Sequence, residues 1–254
     1  MNKSIRVGAV SYLNTLPFLL GIKRAAGLMG RISLTEEYPA KLAEQLISDQ
    51  IDVGLIPVAM IPRLKESYII SDYCIGTEGE VASVALFSEV PMEQIETVIL
   101  DYQSRTSVNL ARILLKEYWK KEVVLEEATP DFREKIKGTT AAVVIGDRAL
   151  EQISMSAYMY DLGAAWKAHT GLPFVFAAWV ANKQLDDAFA DAFNKANAYG
   201  VNHIDEVLAG LNYPGYDLKK YYTENLSYPL TGEKRKGLAL FLEKLKQLSI
   251  YSPA

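Results

Sequence analysis

The sequence contains few of the residues that build metal sites and disulfide frameworks. It has one cysteine, Cys74, and two histidines, His169 and His203, which are far apart in the chain. A lone cysteine cannot form an internal disulfide, and no Cys or His pair has zinc-ligand spacing. We therefore expect no metal site, and we expect Cys74 to be a small buried apolar side chain rather than a nucleophile.

Two further absences bear on partners and location. The chain has 31 acidic and 27 basic residues, so it lacks the basic excess typical of proteins that bind nucleic acid. No apolar run approaches the roughly 18 residues of a membrane-spanning helix, and no charged-then-apolar signal region is visible. We expect a cytoplasmic protein with neither a nucleic-acid nor a membrane partner, and the oligomeric state stays open.

What the sequence does contain is an alternation of short apolar strands and amphipathic helices. Half of its 254 residues are apolar, enough for a large core without disulfides. The predicted strands are 5–10, 31–38, 53–56, 81–87, 97–101, 123–126, 141–145 and 174–180. The predicted helices are one that begins at Pro17, then 39–48, 106–119, 132–137, 186–199, 204–211, 217–225 and 233–248. This alternation predicts an α/β fold with largely parallel strands, arranged either as two half-size units or as a single sheet.

The loop after the first strand is the first candidate site, because open α/β sheets bind ligands at the carboxyl ends of their strands. Ser11, Tyr12, Asn14 and Thr15 occupy this loop, and a helix begins at Pro17. Thr15 alone is equally well explained as a helix N-cap. Because the loop carries three small hydrogen-bonding side chains, Ser11, Asn14 and Thr15, its composition favours a ligand role.

A second polar loop follows strand 97–101. Ser104, Arg105, Thr106 and Ser107 stand at the start of a helix, where unpaired backbone N–H groups favour a carboxylate or a phosphate. Simple helix capping and a solvated arginine are the alternative. The glycine-rich dinucleotide fingerprint and the P-loop are both absent, so nucleotide binding lacks its usual signature.

Two other strands bring single polar residues to the same kind of position. Ser83 lies in the apolar strand 81–87, where a serine with no partner would be unusual, so we expect it to face a cleft. Gly146 and Asp147 follow strand 141–145, and Asp147 is either a helix N-cap or a functional carboxylate. No nucleophile–base–acid motif is present. Taken alone, these residues predict a cytoplasmic α/β protein with a site for a small anion.

Six segments, taken in order, resemble a known family. They are VSYLNTLPF (10–18), DVGLIPVAMI (52–61), GTEGEVASVALFS (76–88), LDYQSRTSVNLARILL (100–115), VVIGDRAL (143–150) and DLGAAWKAHTGLPFVFAAWVAN (161–182). Together they resemble the chorismate dehydratases of the futalosine route to menaquinone. Each motif alone is modest, but six in the right order are specific.

The resemblance implies a two-lobed periplasmic-binding-protein-like fold of type 2, with a ligand cleft between the lobes. Residues 1–87 and 178–254 would form lobe 1, including the C-terminal helices, and residues 88–177 would form lobe 2. Strands 81–87 and 174–180 would connect them. Such lobes close over a ligand by hinge motion.

The resemblance also implies a reaction and roles for residues. A lyase of this kind eliminates water from chorismate, a dianion, to give 3-[(1-carboxyvinyl)oxy]benzoate. It needs no cofactor if the substrate's own enolpyruvyl carboxylate takes the proton. Asn14 would contact the reacting region, and Asp147 would assist the departing hydroxyl or hold its loop. The substrate-binding residues would be Ser11, Tyr12, Thr15, Ser83, Ser104, Arg105, Thr106, Ser107 and Gly146.

Two alternatives stay open. One is the 1,4-dihydroxy-6-naphthoate synthase of the same pathway, in which we expect a histidine base after the strand that here ends in Ile145. The presence of Gly146 and Asp147 at that place favours the dehydratase. The other alternative is a non-catalytic solute-binding protein for a small anion, which the missing signal region argues against.

Overall fold

The structure is a computed structural model that describes residues 4–251, with side chains to residue 248. Residues 1–3 and 252–254, which the expected first lobe includes, lie outside this range. Chain contacts define two compact units. The first consists of residues up to 76 together with 175–231, and the second consists of 77–174 together with the residues from 232 onward.

The described chain contains strands and helices in alternation, as the sequence predicts. The strands are β1 (Ile5–Val10), β2 (Ile32–Glu37), β3 (Val53–Pro57), β4 (Tyr68–Thr77), β5 (Val84–Ser88), β6 (Thr97–Leu100), β7 (Val124–Glu127), β8 (Thr140–Ile145), β9 (Tyr158–Asp161), β10 (Phe174–Ala181) and β11 (Ser227–Pro229). The helices are α1 (Leu16–Arg24), α2 (Ala26–Met29), α3 (Pro39–Ile47), α4 (Arg105–Glu117), α5 (Asp147–Gln152), α6 (Leu162–Thr170), α7 (Asp187–Asn202), α8 (Ile204–Ala209), α9 (Leu218–Lys220, continued by a π turn at Tyr221–Asn225) and α10 (Gly232–Tyr251). None of these helices combines the length and the apolarity needed to cross a membrane.

Each unit has its own sheet, and each sheet mixes parallel and antiparallel pairs. The first sheet has the order β11-β4-β10-β3-β1-β2, with β1 parallel to β2 and β3, and β10 antiparallel to β3. The second has the order β7-β6-β8-β5-β9, with β6 parallel to β7 and β8, and β5 antiparallel to β8 and β9. The α/β class is confirmed, and the alternative of one unbroken sheet is wrong.

The division of the chain differs from the expected one at three places. Residues 77–87 and the last helix, α10, belong to the second unit. β5 belongs there because it pairs with β8 and β9. Phe241 of α10 packs edge-on against Trp166 and Phe174, with ring centroids 6.3 and 5.1 Å apart. The change of unit therefore falls at the end of β4, at residues 76–77, rather than in strand 81–87, and within β10 it falls at 174–175 rather than at 177–178.

An aromatic cluster forms the core of the first unit. The Trp179 ring lies 4.9 Å from Phe193 and 5.9 Å from Phe18, and its Nε1 donates to Asn197 Oδ1 at 3.1 Å. Burying the indole therefore leaves no unpaired donor. The predicted burial of Cys74 is confirmed.

Two glycines bring the backbones of α1 and α7 into contact. A Cβ placed on Gly21 would lie 1.8 Å from the Ala196 carbonyl oxygen, and one on Gly200 would lie 1.6 Å from the Pro17 oxygen. No side chain can occupy either position without moving a helix. This packing fixes α1, whose N-terminal end carries the loop that follows β1.

We predict that Gly200→Ala destabilises the protein by at least about 2 kcal/mol, because the added methyl group overlaps the backbone of α1. This corresponds to a fall of about 4–8 °C in Tm, measured by circular dichroism. Gly27→Ala on α2 is the matched control, since a Cβ there meets nothing within 4 Å. Equal Tm values for the two variants would contradict the described contact between α1 and α7.

Candidate active site

The loop after β1 in the first unit is a tight turn. Residues 13–15 form a short 3-10 helix that leads directly into α1. Ser11 is exposed, Tyr12 and Asn14 are partly buried, and Thr15 is fully buried. The structure thus brings the four predicted residues of this loop together.

Thr15 precedes α1 but does not cap it through its side chain. Its hydroxyl instead donates to Asn14 Oδ1 at 3.0 Å. The capping interpretation of Thr15 is therefore wrong. The contact uses the acceptor of the Asn14 amide, so the NH₂ group is the end of that side chain that is suited to donate to a ligand.

Two buried tyrosines from the C-terminal part of the first unit hold this loop. Tyr222 donates to the Leu13 carbonyl at 2.8 Å, and Tyr228 donates to the Asn14 carbonyl at 3.0 Å. Burial raises the pKa of Tyr228 well above its usual value, so the hydroxyl stays a donor. Neither tyrosine was predicted as a functional residue. The one indication in the sequence was that Tyr228 stands in an apolar context, beside Pro229 and shortly after the predicted helix 217–225.

In the second unit, the order of the strands gathers three polar turns at one edge of the sheet. β6 and β8 are parallel neighbours, so their carboxyl ends share an edge. β5 runs antiparallel to β8 with Val84 opposite Ile145, which brings Ser83 to the same edge. Gly146 then donates its N–H to the Ser83 carbonyl at 2.8 Å. Ser83, Gly146 and the turn after β6 therefore lie close together.

The turn before α4 is capped by its own serine. Ser104 Oγ accepts from the Ser107 N–H at 3.2 Å, and the two hydroxyl oxygens lie 3.0 Å apart. Ser104, Thr106 and Ser107 are buried, whereas Arg105 is exposed. The capping interpretation is correct for Ser104. The other N–H groups of the first turn carry the partial positive charge of the helix end.

A buried carboxylate links the turn after β6 to the turn after β8. Asp101 accepts from the N–H groups of Gln103 and Ile145, at 3.0 and 3.3 Å. Arg148 donates to both Asp101 oxygens, at 3.0 and 2.7 Å, and to Gln103 Oε1 at 2.7 Å. Desolvation raises the pKa of Asp101, and the Arg148 guanidinium opposes this effect. These residues, which the sequence analysis did not single out, fix both turns.

Asp147 is the first residue of α5, and Gly146 is its N-cap. The N-cap interpretation of Asp147 is therefore wrong. Gly146 has φ +66° and ψ −149°, a combination that is essentially restricted to glycine. This conformation turns the chain sharply between β8 and α5 and leaves Asp147 partly exposed in the first turn.

A second carboxylate, on the partly buried Asp161, holds the turn before β5. Asp161 Oδ2 accepts from the N–H groups of Val81 and Ala82 at 3.0 and 2.7 Å, and Oδ1 caps α6 by accepting from Ala164 at 2.8 Å. Ala82 has φ +60°, a left-handed conformation that is strained for alanine. Desolvation raises the pKa of Asp161 to about 6, although its three hydrogen bonds act in the other direction.

Tight backbone packing places α6 next to this turn. A Cβ on Gly163 would lie 2.5 Å from the Gly79 carbonyl oxygen, so only glycine fits. β9 ends at Asp161 and α6 begins at the next residue, Leu162, so the strand passes directly into the helix. Among the described residues, no group of three or more His, Cys, Asp or Glu side chains is placed to hold a metal ion.

Sequence comparison gives the chain a family. The family described as "Menaquinone biosynthesis" matches residues 5–247. The chain belongs to this family. Two curated relatives are named chorismate dehydratase: one from Thermus thermophilus is 26% identical over 90% of this chain and 95% of the relative, and one from Campylobacter jejuni is 26% identical over 96% and 98%.

Solved structures show the fold that this member of the menaquinone biosynthesis family adopts. The protein AF1704 from Archaeoglobus fulgidus aligns with a TM-score of 0.70 at 13% identity, covering 98% of each chain. The periplasmic aliphatic sulphonate binding protein SsuA from Escherichia coli aligns with a TM-score of 0.59 at 16% identity, covering 98% of this chain and 93% of SsuA. The expected periplasmic-binding-protein-like fold is confirmed.

We predict that Asp161→Asn destabilises the protein by about 1–3 kcal/mol, because an amide offers one carbonyl oxygen where three N–H groups need acceptors. The difference in the free energy of unfolding between wild type and variant should grow as the pH falls. The folded-state pKa lies above 3.8, so the protonated carboxyl stabilises the native state, and this contribution is lost as pH rises through about 6.

Urea titrations at about pH 7.5 and about pH 5 measure the free energy of unfolding of both proteins. The difference between wild type and variant is expected to change by up to about 1.4 kcal/mol per pH unit. Asp131→Asn in the same unit is the control, since Asp131 is exposed. A difference in the free energy of unfolding that becomes smaller toward acid pH would contradict the raised pKa of Asp161.

Proposed function

We propose that this protein is a chorismate hydro-lyase that forms 3-[(1-carboxyvinyl)oxy]benzoate and water in menaquinone biosynthesis. The observation that carries the proposal is the similarity to two relatives named chorismate dehydratase along almost the whole chain, within a family matched over residues 5–247. The polar turns at the strand ends of each unit also support the proposal, because they contain hydrogen-bond donors that suit an anionic substrate.

The reaction has simple electronic needs. The ring carbon that bears the enolpyruvyl ether loses its proton, and the electrons of that C–H bond form the new ring double bond. The neighbouring carbon loses its hydroxyl, and the proton and hydroxide leave together as water. The ring becomes aromatic, which supplies the driving force. The protein therefore has to orient a dianion and stabilise the charge that develops on its ring carboxylate.

The turns of the second unit supply donors for a carboxylate. The N-terminal end of α4, whose first turn contains Thr106 and Ser107, carries a partial positive charge that favours an anion, although the Ser107 N–H itself donates to Ser104 Oγ. The proposal places Ser83 and Gly146 beside the same carboxylate. Because the chain has a net charge of −4, binding of a dianion has to depend on such local donors rather than on the overall field.

The turn of the first unit supplies an oriented amide. Thr15 holds the Asn14 oxygen at 3.0 Å, and Tyr228 holds the Asn14 backbone. The Asn14 NH₂ group is thus oriented before substrate arrives, which is the condition for stabilising a developing negative charge without reorganisation. The proposal assigns Asn14 to the reacting region, with Ser11 and Tyr12 as further substrate contacts.

The base in this proposal is the enolpyruvyl carboxylate of the substrate. Asp147, partly exposed at the start of α5, assists the departing hydroxyl. Neither histidine lies in the turns: His169 contacts Glu117 at 3.2 Å, and His203 contacts the Tyr199 carbonyl at 2.7 Å. Both rings are therefore engaged elsewhere, in agreement with a base that belongs to the substrate.

Binding without catalysis is the second candidate function, because the fold is shared with SsuA, a periplasmic binding protein. A third candidate is synthesis of 1,4-dihydroxy-6-naphthoate. Gly146 argues against it, since its positive φ disfavours any side chain, including a histidine, at the position after β8.

We predict that the purified protein converts chorismate into an aromatic product that is lighter by one water. Absorbance of the benzenoid ring and mass spectrometry measure this conversion. Chorismate that binds in calorimetry but is recovered unchanged would favour the binding protein. If chorismate is neither bound nor converted and a cyclised futalosine derivative is consumed instead, the naphthoate synthase is favoured. Either result would overturn the proposed activity.

We predict that Asn14→Ala lowers kcat by a factor of 100 or more, the size expected when an oriented donor to a developing negative charge is removed, with KM much less affected. Asn202→Ala is the matched control, because Asn202 is an exposed residue at the end of α7 in the same unit. Tm should stay close to that of wild type in Asn202→Ala, whereas Asn14→Ala should stay folded with a Tm lower by about 2–8 °C, because the buried Thr15 hydroxyl loses its acceptor. Near-normal turnover in Asn14→Ala would remove Asn14 from the catalytic residues.

A further inference from the structure

A cavity lies in the second unit, at the end of α4 that is remote from the turn at Ser104–Ser107. Its volume is about 760 Å³. It is lined by Arg112, Leu115, Lys116, Lys120, Lys121, Glu122, Val123, Leu125 and Leu248. Arg105 and Lys116 are separated along the α4 axis by about 16 Å at 1.5 Å per residue. The cavity is therefore a separate feature from the turn at Ser104–Ser107.

The cavity combines a cationic rim with an apolar wall. Four of its lining residues are basic and one, Glu122, is acidic, in a chain whose net charge is −4. Lys116, in the last turn of α4, also complements the helix dipole. Lys120 and Lys121 lie beyond the helix, where that explanation does not apply. The four apolar residues of the lining are Leu115, Val123, Leu125 and Leu248.

One donor at this cavity has no partner within the described chain. Arg112 Nε is buried and makes no hydrogen bond there, and the Arg112 guanidinium reaches the nearest carboxylate, Glu127, only at 3.9 Å. A buried N–H of a charged group without an acceptor is costly, and such a group commonly marks a place where a ligand or ion completes the structure.

The backbone at Lys120 gives an independent indication. This residue has φ +50°, a left-handed conformation that glycine adopts at no cost and lysine adopts under strain. Lys120 lies in the turn after α4, two residues beyond the C-cap Tyr118. A lysine kept there costs stability, and strained residues of this kind cluster at ligand sites.

We propose that this cavity binds a small amphipathic anion, a molecule with one carboxylate, sulfonate or phosphate on an apolar body. The anionic group pairs with Arg112, Lys116 and Lys120, and the body packs against the leucine and valine wall. The guanidinium gains the acceptor that its Nε lacks. This site is independent of the proposed turnover of chorismate.

The test uses 8-anilinonaphthalene-1-sulfonate, an aromatic sulfonate that fluoresces when it enters an apolar cavity. We expect Lys116→Glu combined with Lys120→Glu to weaken its binding at least ten-fold, measured by fluorescence titration. The matched control combines Lys137→Glu with Lys167→Glu, two exposed lysines of the same unit outside the cavity. Both double variants change the net charge equally. Equal affinity in the two would overturn the proposal.

Two further measurements separate ligand binding from a purely structural role. The neutral probe 1-anilinonaphthalene should bind wild type at least ten-fold more weakly than the sulfonate, and equal binding would contradict an anion site. Lys120→Gly should raise Tm by about 2–4 °C by relieving the left-handed strain, while weakening sulfonate binding. A rise in Tm with unchanged sulfonate binding would exclude Lys120 from the site. None of these readouts depends on turnover of chorismate.

Discussion

Side chains that bind the backbone of the polar turns are the interaction on which the candidate site depends. In the second unit, Asp101 with Arg148 and, separately, Asp161 hold the turns at one edge of the sheet. In the first unit, Tyr222 and Tyr228 hold the loop after β1. Each contact joins segments that are distant in sequence. These hydrogen bonds therefore hold the polar turns in place.

This arrangement costs stability. Burying the Asp101 and Asp161 carboxylates raises the pKa of each, which shows that desolvation exceeds the stabilisation by their hydrogen bonds. Ala82 adds backbone strain in a turn beside the same edge. Sites that stabilise a developing charge depend on fixed dipoles of this kind, because reorganisation during the reaction would otherwise add to the barrier.

Much of the fold could be predicted from local sequence. β1 was predicted with its bounds, 5–10, and α3 to within one residue, because apolar periodicity and Pro39 mark them clearly. Strand β4, with the sequence YIISDYCIGT, was not predicted, because Ser71 and Asp72 interrupt its apolar residues. That omission displaced the boundary between the units.

Some residues of the candidate site could be predicted from the sequence, and others could not. Polar residues after strands are visible in the sequence, so the turns at Asn14, Ser83 and Ser104 could be proposed from the sequence alone. The residues that hold these turns could not. Asp101 acts through Arg148, 47 positions away, and Tyr228 reaches Asn14 across 214 positions, separations that no local pattern encodes.

The central claim is the proposal that these turns bind the carboxylates of the substrate and product. Two-dimensional ¹H–¹⁵N spectra of the labelled protein, recorded while 3-[(1-carboxyvinyl)oxy]benzoate is added, test it most directly. The account predicts saturable shifts in the Asn14 side-chain NH₂ and in the backbone amides of Thr106, Ser107 and Gly146. Saturable shifts confined to other residues, or no shifts at millimolar product, would contradict it.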